Sequence, residues 1–263
     1  MTDEERQLAE LQQELNRKQA ASPPDIKTLN EPLSKRINEL KISPERQAAI
    51  DARIKASERA QQRSDIESRM GGTRKSLGKY ADANLTDYEV YAGDDQRHVL
   101  DRVSRMCDEI DKVIRQRLKV VLWGTLGTGK DHLAACLLLA AARAGVNAKM
   151  LSGRVFYDES AAAFSADSTQ LEVYRRWTVP QILCLSDPVF ETGWSPKWGE
   201  YLNRLLRMRY DAGKPTWATV NARSEEHARE MFGFDVWDRL IENAVIIPTR
   251  WPSYRQRHKQ EEF

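Results

Sequence analysis

A glycine-rich turn followed by a lysine carries the clearest chemistry in this chain. Gly124, Gly129 and Lys130 stand at the spacing of a phosphate-binding loop, between an apolar run and an apolar helical segment. Glycines let successive backbone N–H groups face one anion, and the helix points its positive end at the same place. Lys130 then supplies a point charge for the β- and γ-phosphates. The residues predicted to bind nucleotide here are Gly124, Thr125, Leu126, Gly127, Thr128, Gly129, Lys130, Asp131 and His132.

The residue after the lysine departs from this pattern. Asp131 stands where a serine or threonine hydroxyl would bind Mg²⁺. A carboxylate at that position either ligates the metal directly or repels the phosphates, and the residues leave both options open. The alternative to a phosphate site is a strand-to-helix turn without a ligand. The pattern predicts nucleotide binding and leaves hydrolysis open.

A second acid follows a mostly apolar run at residues 179–185, which ends in Ser186-Asp187-Pro188. In a parallel sheet such a strand delivers its terminal carboxylate toward Mg²⁺ or the attacking water. Asp187 is therefore predicted to be catalytic and, together with Asp131, to be a metal ligand. The alternative for Asp187 is a residue that only forms the turn after the strand.

Strands and helices alternate around these residues, which predicts an α/β fold with a mostly parallel sheet covered on both faces. Strands are expected near residues 120–123, 148–151, 179–185, 216–220 and 245–248, and helices near 96–117, 133–144, 153–176, 198–210 and 236–241. Only about forty residues follow Asn221, which is too few for a large helical lid domain.

The first 76 residues differ in composition from the rest. Pro44 predicts the start of a helix that runs to about Met70 and ends at Gly71-Gly72. Its charges lie on most faces, so it can bury little surface alone. We interpret residues 1–76 as a helical, partly flexible extension that docks on a partner protein, or as a solvated arm, and residues 77–263 as the nucleotide-binding domain.

Composition limits the classes of function. The formal net charge of the 263 residues is +2, so any case for nucleic-acid binding must be local. The three cysteines lack metal-ligand spacing and give no sign of disulfides, which favours the cytoplasm. No apolar run approaches the length of a membrane span, and no membrane partner is expected.

From about residue 77 to residue 257 the chain resembles the AAA+ ATPases of the DnaC/IstB type, which are bacterial replicative helicase loaders and transposition helper ATPases. The segments that carry the resemblance are Gly127-Thr128-Gly129-Lys130-Asp131-His132-Leu133-Ala134 in the phosphate loop, Pro215-Thr216 to Asn221 as a sensor 1 segment, Asp238-Arg239-Leu240 as an arginine-finger segment and Trp251-Pro252-Ser253-Tyr254-Arg255 as a closing motif. Members of this family also lack a large lid.

The resemblance implies ATP and Mg²⁺ as cofactors and a role for three further residues. Asn221 would orient the attacking water, and Arg255 would bind nucleotide as a second arginine. Arg239 would reach the nucleotide of a neighbouring subunit, which implies a head-to-tail homo-oligomer. The alternatives are a turn residue for Asn221 and, for Arg239, a surface salt bridge with Asp235 or Glu242.

The acidic pair of the family is incomplete here. After four apolar residues, Ser186 takes the position of the Mg²⁺-side aspartate and Asp187 that of the catalytic glutamate. A shift by one residue would make Asp187 the metal-side acid and place Pro188 at the glutamate position. Either register lacks one acid, so weak ATP hydrolysis is expected, with nucleotide acting mainly as a conformational switch.

Arginines mixed with aromatic residues supply the local case for DNA, as in single-strand binding grooves. These are Arg175, Arg176, Trp177, Arg204, Arg207, Arg209 and Tyr210. The resemblance adds Arg154, Phe156 and Tyr157, which lie just past the second strand, where members of this family carry a DNA-contacting insertion. The expected function is a helicase loader that oligomerises on single-stranded DNA and contacts a replicative helicase. The alternatives are a transposition helper that binds duplex DNA and a transposase, and a nucleotide-gated adaptor without significant hydrolysis.

Overall fold

The computed structural model of the chain describes residues 6–7, 10–11, 13–14, 44–163, 167–189 and 196–256. Internal contacts divide the chain into two units, Met1–Ser64 and Asp65–Phe263. Within the described ranges, every helix is too short or too polar to cross a membrane. The domain boundary between residues 76 and 77 stays a prediction.

Five parallel strands form one sheet, which confirms the predicted fold class. The strands are β1 (Lys119–Gly124), β2 (Ala148–Ser152), β3 (Ile182–Ser186), β4 (Thr216–Asn221) and β5 (Ala244–Thr249). Their order in the sheet is β2-β3-β4-β1-β5, and every neighbouring pair is parallel. The carboxyl ends of all five strands therefore lie along one edge, with β4 between β1 and β3.

Helices cover both faces of the sheet. The helices of the described ranges are α1 (Pro44–Leu77), α2 (Asp94–Asp108), α3 (Ile110–Arg115), α4 (Lys130–Arg143), α5 (Gly153–Ala162), α6 (Asp167–Thr178), α7 (Pro196–Asp211), α8 (Glu225–Phe232) and α9 (Phe234–Ile241), with short 3₁₀ helices at Gly78–Tyr80, Leu85–Asp87 and Tyr254–Gln256, and it is α2 to α9 that cover the sheet. Alternate residues of β1 enter two separate cores, because side chains along a strand point to opposite faces. Val121 and Trp123 pack with α5 to α9, and Val120 and Leu122 pack with α2, α3 and α4.

Two predicted helices are each divided in the structure. The helix expected over residues 96–117 is interrupted at Glu109, which ends α2 and precedes α3. The sequence pattern does not show this break, because Val103, Ile110 and Val113 are all buried and keep a helical spacing across it. The helix expected over residues 153–176 is α5 followed by α6, and residues 164–166 lie outside the described ranges.

The prediction that Gly71-Gly72 ends the first long helix is wrong, because α1 continues to Leu77. A helical glycine costs about 1 kcal/mol relative to alanine, and contacts with the sheet offset that cost. Thr73 Oγ1 donates to Ala148 O at 2.7 Å, and Met150 N donates to Ser76 Oγ at 3.0 Å. The last turns of α1 therefore satisfy backbone groups of the edge strand β2.

Arg209 of α7 is fully buried at the amino ends of β3 and β4. Its guanidinium donates to Thr216 Oγ1 (2.9 Å) and to the carbonyl oxygens of Trp177 (3.0 Å), Pro180 (3.0 Å), Gln181 (3.3 Å) and Pro215 (2.8 Å). Burial lowers the pKa of Arg209 to about 9. Arg209 therefore joins α6, β3 and β4, and its predicted contact with DNA is wrong.

Candidate functional site

The phosphate loop, residues 124–130, connects the end of β1 to the start of α4. Gly129 has a φ of 84°, and a Cβ atom there would lie 2.5 Å from Cε2 of Tyr88. A Cβ atom on Gly124 would lie 2.1 Å from the carbonyl oxygen of Thr249. Both positions require glycine, the first for its backbone conformation and the second for the close approach of β5. The loop is thus held tightly at both ends.

Lys130, the first residue of α4, is buried with 6% of its surface exposed. Its Nζ donates to the carbonyl oxygens of Gly124 at 3.0 Å and Thr125 at 2.7 Å. Burial lowers the pKa of Lys130, while the nearby carboxylates of Asp187 and Asp131 act to raise it. The lysine therefore lies inside the loop, between backbone oxygens and two acids.

Asp131 lies against the carboxyl ends of β3 and β4. Ser186 Oγ is 3.1 Å from each oxygen of the Asp131 carboxylate, to which it donates. Thr219 Oγ1, in β4, donates to Asp131 Oδ1 at 2.6 Å. The residue that faces position 131 across the site is Ser186, the last residue of β3, and Asp187 follows it.

Asp187 combines an unusual backbone conformation with a buried carboxyl group whose ionised form is destabilised. Its φ is 46°, a left-handed conformation that aspartate tolerates better than most residues. Its Oδ1 is buried and has no hydrogen-bond partner among the described residues. Its pKa is raised to about 6, first by burial and second by the charge of Asp131, while Lys130, Asn221 and Arg255 act to lower it.

The structure brings most of the predicted site residues together. Asn221, the last residue of β4, pairs in register with Gly124, and its side chain acts to lower the pKa of Asp187. Arg255 is exposed and lines a cavity beside the phosphate loop. His132 Nε2 lies 2.8 Å from Asn84 O, to which it donates. The carboxyl ends of β1, β3 and β4 therefore meet in one site.

Arg239 lies away from this site, at the opposite edge of the sheet. It is in α9 beside Lys119, the first residue of β1, whose Nζ donates to Arg239 O at 2.6 Å. The Arg239 side chain donates to the backbone oxygen of Asp235 at 2.9 Å. Glu242 pairs with Lys119 at 3.5 Å. Arg239 cannot reach the phosphate loop of its own chain from this position.

An aromatic cavity of about 240 Å³ beside the phosphate loop was not predicted. Its lining residues are Tyr80, Asp87, Tyr88, Glu89, Tyr91, Gly127, Thr128, Gly129, His132, Tyr254 and Arg255. Tyr88 Oη and Trp251 Nε1 both donate to Thr128 O, at 2.7 and 3.0 Å. Segments before and after the loop in sequence therefore fix the backbone of the loop. No spacing in the sequence indicates that these tyrosines meet.

The donor groups fit Mg²⁺, which binds proteins through one or two carboxylates and completes its shell with phosphate and water oxygens. Asp131 and Asp187 are the two carboxylates, and the buried Oδ1 of Asp187 lacks a protein partner. No three His, Cys, Asp or Glu residues within the described ranges form a metal-binding group. A magnesium ion here would depend on a nucleotide for further ligands.

Five arginines of α5, α6 and α7 are exposed: Arg154, Arg175, Arg176, Arg204 and Arg207. Arg154 pairs with Asp158 at 3.2 Å, and Arg176 pairs with Glu159 at 3.1 Å. Phe156 is completely buried, so its predicted contact with DNA is wrong. The cations left without a local carboxylate pair in the described structure are Arg175, Arg204 and Arg207.

The fold and the phosphate loop together define an ATP-binding P-loop protein of the AAA+ type. The family model for IstB-like ATP-binding proteins matches residues 33–262, and the chain belongs to that family. The resemblance inferred from sequence is therefore confirmed. No curated protein sequence shows a significant match.

The same fold occurs in solved structures of the DnaC helicase loader, of DnaI and of the replication initiator DnaA. The DnaC helicase loader is 18% identical with a TM-score of 0.55, over 65% of this chain and 98% of DnaC. DnaI is 17% identical with a TM-score of 0.50, over 68% of this chain and 92% of DnaI. The replication initiator DnaA, bound to AMPPCP and single-stranded DNA, is 16% identical with a TM-score of 0.52, over 65% of this chain and 50% of DnaA. At these identities the matches establish the fold alone.

Proposed function

We propose that this protein is a weak, nucleotide-switched ATPase that oligomerises on DNA and helps to load or regulate a replicative helicase in the cytoplasm. The observation that carries the proposal is the meeting of Lys130, Asp131, Asp187 and Asn221 at one edge of the sheet, around the phosphate loop. Helicase loading is favoured by the fold shared with the DnaC helicase loader.

Each site residue has a role that follows from its position. Lys130 binds the phosphates, together with the N–H groups of residues 124–130 and the start of α4. Asp131 and Asp187 would hold Mg²⁺, which neutralises charge on the β- and γ-phosphates. Asp187 and Asn221 orient the attacking water, and Arg255 binds nucleotide from the side of the aromatic cavity.

Hydrolysis is weak because the site has no second acid after β3. Asp187 is shorter than a glutamate, and its left-handed backbone fixes where its carboxylate points. Nucleotide binding would then change the state of the protein more often than cleavage does.

A second copy of the chain completes the site. Arg239 lies at the edge of the sheet opposite its own phosphate loop, so an arginine finger at this position acts on a neighbour. A head-to-tail contact of this kind forms a ring or an open spiral. Residues 1–76 are the proposed docking extension for the helicase, and residues 77–263 are the proposed ATPase domain.

Contact with DNA is assigned to the exposed arginines of α6 and α7. Arg175, Arg204 and Arg207 carry positive charge without a local carboxylate pair, and Arg204 lies 4.6 Å from the centre of the Tyr174 ring. Single-stranded DNA is the favoured partner, since a backbone-tracking groove needs cations more than base-reading groups. Binding should therefore fall steeply with salt.

Two other functions share this site. A transposition helper that contacts a transposase and duplex DNA is favoured by the family model, which is named for IstB. A nucleotide-gated adaptor without significant hydrolysis is favoured by the incomplete acidic pair, in which Ser186 occupies an acid position. Both retain nucleotide binding and differ in turnover and in the form of DNA preferred.

The test of nucleotide binding compares the wild type with Lys130→Ala, using a fluorescent ATP analogue and a steady-state turnover assay with and without single-stranded DNA. Losing a charge-assisted contact should weaken binding by about 10- to 100-fold. Lys112→Ala, an exposed lysine in α3, is the matched control and should bind as the wild type does. Unchanged affinity in Lys130→Ala would exclude the phosphate site.

The test of DNA action measures binding to single-stranded and duplex oligonucleotides over a range of salt. The triple variant Arg175→Ala, Arg204→Ala, Arg207→Ala should bind more weakly and with a shallower salt dependence. Preference for duplex DNA would favour the transposition helper. If the protein binds ATP normally but binds no DNA at low salt, the result would favour the nucleotide-gated adaptor.

A further inference from the structure

We propose that Asp131 and Ser186 have exchanged the two Mg²⁺-binding roles of a P-loop ATPase: the start of α4 supplies the carboxylate and the end of β3 supplies the hydroxyl. In the usual arrangement the loop residue after the lysine is the hydroxyl and the strand residue is the acid. This inference rests on the proposed nucleotide site and assigns roles within it.

The contact between the two side chains supports the exchange. Ser186 Oγ lies 3.1 Å from both Asp131 Oδ1 and Asp131 Oδ2, so the hydroxyl and the carboxylate lie side by side. The groups that these two positions contribute are therefore unchanged, one carboxylate and one hydroxyl, although each comes from the other element.

Thr219 is a positioning residue for the exchanged carboxylate. It is completely buried in β4, between β1 and β3, and its Oγ1 donates to Asp131 Oδ1 at 2.6 Å. Two hydroxyls thus fix the direction of Asp131. A carboxylate offers about four acceptor positions, so Asp131 can bind both hydroxyls and still ligate a cation.

The exchange also explains why the acidic pair looks incomplete in the sequence. The acid that belongs to the metal side is present, at position 131, and Ser186 is a ligand that moved from the loop to the strand. Asp187 then remains the only acid directly after β3. The site therefore keeps a carboxylate for Mg²⁺. It differs from the usual arrangement in that Asp187, an aspartate, stands where a longer catalytic glutamate is expected.

The deciding experiment uses four proteins: the wild type, Asp131→Ser, Ser186→Asp, and the double variant that carries both changes. The readout is the affinity for a fluorescent ATP analogue, measured with Mg²⁺ and with EDTA, so that the effect of the metal on binding is separated from turnover. Direct binding of Mn²⁺ in the presence of nucleotide, followed by electron paramagnetic resonance, reports the metal itself.

The exchange predicts a reciprocal pattern. Asp131→Ser should bind Mg²⁺ in the nucleotide complex at least about tenfold more weakly than the wild type. Ser186→Asp places a second carboxylate beside Asp131, so nucleotide affinity in EDTA should fall. The double variant restores one carboxylate and one hydroxyl, and its Mg²⁺ affinity should return to within a few-fold of the wild type.

Three outcomes would overturn the exchange. In the first, Mg²⁺ strengthens nucleotide binding by Asp131→Ser as much as it does for the wild type; in the second, the Mg²⁺ affinity of the double variant is no higher than that of Asp131→Ser. In the third, Asp131→Ser binds nucleotide more tightly than the wild type does with Mg²⁺ present. The last would show that Asp131 repels the phosphates. A wild type that binds no nucleotide even in EDTA would overturn the proposed function and this inference with it.

Two further variants separate positioning from folding. Thr219→Val removes the hydroxyl at nearly constant volume and should weaken Mg²⁺ affinity by about tenfold, with nucleotide affinity in EDTA unchanged. Asp111→Ser makes the same chemical change in the first turn of α3 and should match the wild type in every assay. Equal Mg²⁺ affinity in Thr219→Val and the wild type would remove Thr219 from the proposal.

Discussion

The buried charged groups at the two edges of the sheet differ in how completely they are hydrogen-bonded. At the amino ends of β3 and β4, the guanidinium of Arg209 donates to five oxygens of the surrounding chain. At the carboxyl ends, Asp187 has a buried oxygen without a partner in the described structure and a pKa raised to about 6. Burial opposes the charged form at both places, but every N–H group of the Arg209 guanidinium has an acceptor, whereas one oxygen of Asp187 has no donor in the described structure.

The difference distinguishes a structural charge from a binding charge. Neutral oxygens satisfy Arg209 completely, so it has nothing left to offer a ligand, and it holds α6, β3 and β4 together. Asp187 keeps an oxygen available, and burial together with the charge of Asp131 makes its ionised form less stable. A cation arriving with a nucleotide would supply the missing partner, so instability in the empty site contributes to affinity for the ligand.

The largest expected effect is the loss of Arg209. Arg209→Ala leaves several buried acceptors without a donor and should lower the free energy of unfolding by about 4 kcal/mol, measured by urea denaturation. Arg207→Ala, on the exposed side of the same helix, is the control and should change stability by less than about 0.5 kcal/mol. Equal stability of the two variants would remove the contrast between the edges.

A smaller effect of opposite sign is expected for Asp187→Asn, measured in EDTA without nucleotide. Because the folded pKa of about 6 lies above the ordinary aspartate pKa of 3.8, the folded state holds its proton more tightly, and stability falls as pH rises between these values. Above pH 6 the buried, ionised Asp187 lowers the free energy of unfolding of the wild type by about 3 kcal/mol. The uncharged asparagine side chain of the variant avoids this loss.

The stability gain of Asp187→Asn should shrink as pH falls below 6, because the wild-type carboxyl then becomes neutral as well. Asparagine tolerates the left-handed backbone at this position, so the substitution adds no new strain. A variant less stable than the wild type at pH 8 would show that Asp187 is satisfied in the empty site, and the comparison between the edges would fail.

The smallest effect is expected for Lys214→Ala at the same edge as Arg209. Lys214 Nζ donates to the carbonyl oxygens of Thr178 at 2.7 Å and Val179 at 3.1 Å, but the residue is only partly buried. Water can replace its contacts, so urea denaturation should show a loss of about 1 kcal/mol or less. A loss of unfolding free energy as large as that of Arg209→Ala would mean that the burial of the cation does not determine how much its removal destabilises the protein.

Local sequence signals predicted the five strands, the phosphate loop and most of the site. Apolar runs identified the buried strands, and the glycine and lysine spacing identified the loop, because both are properties of neighbouring residues. The parallel order of the strands then brought Asp187 and Asn221 to the same edge as Lys130. These predictions needed only the rule that parallel strands share their carboxyl edge.

Features that depend on distant contacts were not predictable in the same way. The end of α1 was misplaced because Thr73 and Ser76 bind the backbone of β2, a contact that outweighs two helical glycines. Arg209 was misread as a surface cation because nothing near it in sequence shows that strand ends enclose it. The partner of Asp131 was missed because Thr219 is 88 residues away.

The order of the strands also sets the order in which this domain can fold as it is synthesised. Strand β1 carries the phosphate loop and is made early, yet both of its neighbours come late, since Val121 pairs with Ala218 of β4 and Ile246 of β5. Until those strands leave the ribosome, β1 has two open edges. The strand that carries the phosphate loop is therefore fixed in the sheet only after β4 and β5 have been made.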